Sequence, residues 1–147
     1  WSMVLASDGE VGSALHLTDG ASKGSSGRVI PLNKQLQTNL RQMLQVARQK
    51  RNFDPLTAYV ITTERSERTS PQAVVNMFRR WYQDVGLLGC SSHSGRRTFI
   101  TNAAKKISTV GGSLRDVQAL AGHSSLAVTQ RYIDGDSDAR KKIVDLI

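Results

Sequence analysis

Leu120-Ala121-Gly122-His123-Ser124-Ser125-Leu126-Ala127-Val128-Thr129-Gln130-Arg131-Tyr132-Ile133 is the stretch around which the rest of the chain is read. Leu120 and Ala121 end an apolar helical pattern. Gly122 is the residue type that lets a helix terminate with a left-handed turn, so His123 should project from the connection. A further helix is expected from about Ser125 toward Ile133, placing Tyr132 nine residues after His123. A tyrosine among apolar helical neighbours is ordinarily a packing residue. What precedes it changes that reading.

Working upstream, Ser113 caps a helix from Leu114 to Ala121, with Asp116 near its start favouring the helix dipole. Before that, His93-Ser94-Gly95-Arg96 opens a helix running from roughly Ser94 to Lys106. An imidazole and a guanidinium three residues apart share one face of a helix, beside its partially positive N-terminus. Arg96 has the forked geometry to hold two phosphate oxygens. Taken singly, a His-x-x-Arg pair is weak, because a lone histidine is more often structural.

Ser70-Pro71 starts another helix, expected to reach about Val85 and stop at Gly86, with Val74, Val75, Phe78 and Tyr82 on its buried side. Ala58 to Thr62 reads as a strand or a short apolar connector. Asn33 caps a helix whose apolar side is Leu36, Leu40, Met43, Leu44 and Ala47. The opening forty residues look largely β. Ser2 to Leu5 is a strand candidate, Asp8-Gly9 a turn, and Ala14 to Thr18 alternates apolar and polar residues. A Gly/Ser-rich stretch with a single Lys23 follows, and Arg28-Val29-Ile30-Pro31-Leu32 returns as the second strand of a hairpin. At the other end, Asp136 to Ile147 is expected to form a last helix.

Composition narrows the partner. The chain has 147 residues and a net charge of +8, which favours a polyanion, nucleic acid first, because neutralised phosphates release counterions. One cysteine, Cys90, excludes an internal disulfide framework and reads as a packing residue. No apolar run approaches the ~20 residues that span a bilayer, so no membrane partner is expected. The histidines His16, His93 and His123 show no zinc-site spacing, and no metal or cofactor is called for.

In order and spacing, His93-x-x-Arg96, Leu120-Ala121-Gly122-His123 and Thr129-x-x-Tyr132-Ile133 resemble the C-terminal signature of the tyrosine recombinase, or phage integrase, family. Lys23 before Arg28-Val29-Ile30-Pro31-Leu32 resembles that family's catalytic-lysine hairpin. The resemblance implies an α+β, mainly α-helical, integrase-type catalytic domain with a small antiparallel hairpin near its N-terminus, occupying residues 1–147. It also implies the roles. Tyr132 attacks a scissile phosphate, Arg96 neutralises the non-bridging oxygens, and His93 accepts the tyrosine proton. His123 bonds a phosphate oxygen, and Lys23 protonates the leaving 5′-oxygen. Arg97, Arg131 and Thr129 are expected at the DNA, although Arg97, where the family often has histidine, reads equally as a surface charge.

The family pocket needs another arginine, in an Arg-x-x-Glu-type motif before the segment that Trp1 to Val4 resembles. The sequence, opening on Trp1, is therefore expected to be a fragment lacking that arginine and the N-terminal DNA-clamping domain, and severely impaired by itself. The implied partners are double-stranded DNA and three further copies in a tetramer. Residues 136–147 would dock on a neighbour or pack on their own domain. A cytoplasmic, nucleoid-associated setting follows. Two other readings are a non-catalytic DNA-binding module and a type IB topoisomerase-like enzyme.

Overall fold

The computed structural model describes residues 1–22, 26–64, 66–133 and 143–147. The chain divides into two compact units, Trp1–Val74 and Val75–Ile147.

The first unit is built on a hairpin and a helix. Strand β1 (Ala14–Leu17) pairs antiparallel with β2 (Arg28–Pro31), Leu15 opposite Ile30 and His16 opposite Val29. The base of the connection is pinned from both sides. Asp19 Oδ1 accepts from the Gly27 amide at 2.7 Å, and Ser22 Oγ accepts from the Ser26 amide at 2.9 Å. Position 27 has to be glycine, since a Cβ there would lie 2.9 Å from both Asp19 Oδ1 and the Leu17 carbonyl. Lys23 lies outside the described residues.

Helix α1 (Lys34–Arg48) starts as its cap residue dictates, with Asn33 Oδ1 accepting from the Leu36 amide at 2.8 Å. Its Leu40 and Leu44 are buried with Trp1, Val4 and Val11, and Phe53, Ala58 and Val60 pack against that cluster. Leu36 and Met43, on the same apolar stripe, remain exposed. The expected strand Ser2–Leu5 is a turn. The Trp1 carbonyl accepts from the amides of Val4 and Leu5, and one isolated bridge joins Leu5 to Val11. Burying Trp1 and Val4 together requires that curl, which period-two alternation does not reveal. Ala58 to Thr62 is the apolar connector, with no ladder of its own.

The division between units falls within α2 (Pro71–Asp84). Ser70 Oγ accepts from the Ala73 amide at 3.1 Å, and Gly86 follows with φ of +75°. The expected buried face of α2 is only half covered: none of its residues is buried, and Val75 is exposed. Phe78 packs edge-on to Trp81 at 5.5 Å and beside Tyr82 at 6.5 Å. Helical spacing identifies an apolar side; only neighbouring elements can bury it.

The core of the second unit lies between α3 (Ser92–Lys106) and α4 (Leu114–Ala121), where Ile100, Val117 and Ala121 are buried against Ala103, Ala104, Ile107 and Tyr132. Ser91 and Ser94 form a capping box that starts α3, two residues earlier than the sequence suggested. At α4, Asp116 Oδ2 accepts from the Ser113 amide at 2.7 Å and from its hydroxyl at 3.0 Å. Helix α5 (Leu126–Gln130) is shorter than expected. The chain tightens beyond it, the Tyr132 amide donating to the Thr129 carbonyl at 3.1 Å and the Ile133 amide to Gln130 at 2.8 Å. Most of the expected terminal helix, residues 134–142, lies outside the described residues; Ile143, Val144, Leu146 and Ile147 are exposed.

Candidate active site

The site is assembled at the C-terminal end of α4. Gly122 takes φ of +66°, a conformation that costs other residues energy, and reverses the chain there. His123 is then held by both backbone groups: its amide donates to the Gln118 carbonyl at 3.1 Å, and its carbonyl accepts from Gln118 Nε2 at 3.0 Å. Its imidazole Nδ1 lies 3.0 Å from Thr129 Oγ1 on α5. The ring stacks on Tyr132, with centroids 5.5 Å apart and planes 17° from parallel. Tyr132 is half-buried, packed against the Ile100, Val117 and Ala121 cluster but open on part of its surface.

Arg96 reaches the same place from α3, donating through Nη2 to the Ala121 carbonyl. That carbonyl belongs to the partially negative end of α4, a favourable seat for a cation. Among the described residues this is the partner of the guanidinium, which carries five N–H donors, so most of the fork remains for an anion. His93 stands in the first turn of α3, three residues before Arg96, and is exposed; so are Arg97 and Arg131.

The described contacts therefore gather His123, Thr129, Tyr132 and Arg96 around Ala121, with His93 one turn away from Arg96 on its helix. Thr129, with 0% exposure, has its hydroxyl against the His123 imidazole. Gln118 was missed altogether. The signal for it is its place five residues before the histidine, where a side-chain amide reaches back over a glycine-terminated helix.

Comparison with known proteins identifies the family and the fold. Residues 7–138 match the model of the phage integrase family. The chain is similar to tyrosine recombinase XerC of Actinobacillus pleuropneumoniae serotype 7, 32% identical over 124 residues, covering 84% of this chain and 38% of that protein. It is also similar to tyrosine recombinase XerA of Pyrococcus horikoshii, 28% identical over 110 residues, covering 75% and 36%. Its fold resembles the crystal structure of XerA recombinase, with a TM-score of 0.68 and 22% identity over 91% of this chain and 45% of that one. It also resembles the Tn1549 transposon integrase in complex with transposon right end DNA, with a TM-score of 0.61 and 18% identity over 91% and 47%. The chain thus spans under half the length of these relatives. With a mainly helical fold, a small antiparallel hairpin and matches of this extent, the chain belongs to the phage integrase family.

Proposed function

We propose that the chain is the catalytic domain, residues 1–147, of a site-specific DNA recombinase that cleaves and rejoins strands through a 3′-phosphotyrosyl intermediate. The observation that carries this reading is the half-open Tyr132 ring stacked on His123 at 5.5 Å, beside an Arg96 anchored to the Ala121 carbonyl. In the forward step the Tyr132 oxygen bonds to phosphorus as the bond to the 5′-oxygen breaks. His93 takes the phenol proton, and Lys23 supplies a proton to the departing 5′-oxygen, which leaves as a hydroxyl. Arg96 and His123 bind the non-bridging oxygens as charge accumulates on them. A 5′-hydroxyl of another strand then attacks the phosphotyrosine and releases Tyr132. The phosphoester bond is exchanged rather than hydrolysed, so the sequence of steps balances without an added energy source.

Arg97 and Arg131, both exposed, are proposed as phosphate contacts. A further arginine from an Arg-x-x-Glu-type segment outside residues 1–147 would complete the pocket. A preorganised donor of this kind contributes ~3–4 kcal/mol of transition-state stabilisation. Assembly as a tetramer on DNA through residues 136–147, and a cytoplasmic, nucleoid-associated setting, belong to the same proposal. Among the described residues no helix is long and apolar enough to cross a membrane.

The test is a duplex nicked close to the cleavage site, which traps the covalent intermediate. Protein carrying the upstream arginine segment should form an adduct that survives denaturing electrophoresis and disappears in Tyr132→Phe. DNA binding without any adduct would make the chain a non-catalytic binding module, a role its +8 charge would also serve.

A further inference from the structure

Among the described residues of the second unit, Thr129 is the buried polar side chain, with 0% exposure on a five-residue helix otherwise made of Leu126, Ala127, Val128 and Gln130. A helical threonine commonly returns its hydroxyl to the carbonyl four residues earlier. Here, among the described residues, the hydroxyl has a single partner, His123 Nδ1 at 3.0 Å. The protonation pattern of that bond follows from what a hydroxyl must satisfy. Oγ1 carries one proton and two lone pairs. If Nδ1 donated, the threonine proton would be left unbonded inside the protein, whereas an unused lone pair costs little. Oγ1 therefore donates and Nδ1 accepts, which leaves the proton of the neutral imidazole on Nε2.

We infer that Thr129 is a positioning residue that holds the His123 imidazole as the Nε2–H tautomer, so that the ring meets a DNA phosphate oxygen as a hydrogen-bond donor. The bond also sets the rotation of the ring, and with it the stack on Tyr132 at 17° between planes. Gln118 fixes the backbone of His123 and Thr129 bonds its ring, so the residue is held through both main chain and side chain. The catalytic part of this inference rests on the strand-cleavage reading; the tautomer itself does not. Leaving a buried donor unpaired disfavours the alternative tautomer by roughly tenfold or more.

The chain as it stands, labelled with nitrogen-15 in its histidines, allows a direct reading by long-range proton–nitrogen correlation spectroscopy. The spectrum is recorded at about pH 8, where an ordinary imidazole is neutral. His123 should show an unprotonated Nδ1 and a protonated Nε2. Thr129→Val should move both nitrogens toward an averaged mixture, and Thr129→Ser should keep the wild-type pattern. A protonated Nδ1 in the wild type, or an unchanged tautomer in Thr129→Val, overturns the inference. Should the valine variant fail to fold, the wild-type and serine spectra still decide it.

The nicked-duplex assay adds the functional arm. Thr129→Val should slow adduct formation by about ten- to a hundredfold with unchanged DNA affinity, and Thr129→Ser should recover most of the rate. Valine cleaving as fast as wild type counts against any catalytic consequence. The expected spectra with no adduct from any protein would sink the strand-cleavage reading while leaving the tautomer assignment standing.

Discussion

Replacing Gly122 by alanine probes the turn that presents His123. At φ of +66° an alanine Cβ crowds the following carbonyl, a conformation that costs an L-residue about 1–2 kcal/mol. Alanine also narrows the unfolded ensemble, which returns about 0.4–1 kcal/mol to the folded state. The two effects leave a net destabilisation of about 1 kcal/mol. Asparagine tolerates the left-handed region better than alanine, so Gly122→Asn should lose less. Gly20 supplies the control, because its φ is not positive and a Cβ there meets nothing within 4 Å. Gly20→Ala should therefore be neutral or stabilising by about 0.4–1 kcal/mol. Urea titration followed through individual amide resonances reads each unit separately, Val117 reporting on the second and Leu44 on the first. With a urea slope of about 2 kcal/mol per molar, the Gly122→Ala midpoint should fall by about 0.5 M. If Gly122→Ala matched the wild type, or Gly122→Asn proved the weaker variant, the left-handed turn would not be why glycine stands there.

Two other outcomes follow from packing and from charge. Ile100, with 0% exposure at the centre of the second core, should lose about 2–5 kcal/mol on truncation to alanine, whereas Phe99→Ala, one residue away but 55% exposed, should stay within about 0.5 kcal/mol; equal losses in urea unfolding would mean the helix face is misassigned. The Ser113 amide, and after it the Ser113 hydroxyl, hold the Asp116 carboxyl below its ordinary value of 3.8. A depressed folded-state value favours the ionised carboxylate, so this contribution is present above about pH 3.8 and fades as the pH falls through the lower folded value. The stability difference between wild type and Asp116→Asn, measured by urea unfolding from neutral pH downward, should close in that acidic range; a difference that persisted there would exclude the cap carboxylate as its source.

Much of the local structure was legible from residue types. Asn33 begins α1 because its short polar side chain can bond an amide that a new helix leaves open, and at α4 the Asp116 carboxylate reaches back to the Ser113 amide in the same way. Gly122 and Gly86 end helices because they accept positive φ cheaply. Pro31 closes β2, and the alternation from Ala14 marks β1. The recurrence of His93, Arg96, His123 and Tyr132 in one order was likewise visible, since motif spacing is a property of the chain alone.

Other features depend on which distant residues meet, and no window of sequence contains that information. The Ser2–Leu5 segment curls rather than extends because Trp1 and Val4 are buried with Leu40 and Leu44, some forty residues on. The apolar side of α2 looked like core but is half covered, since spacing identifies a face and not what lies against it. Arg96 finds the Ala121 carbonyl across 25 residues of chain. Thr129 shows the difference most sharply: its motif put it beside the tyrosine, and a hydroxyl suits a phosphate as well as an imidazole. Packing of α5 removed it from solvent and left His123 as its partner, so burial, a tertiary quantity, determined what that hydroxyl can bind.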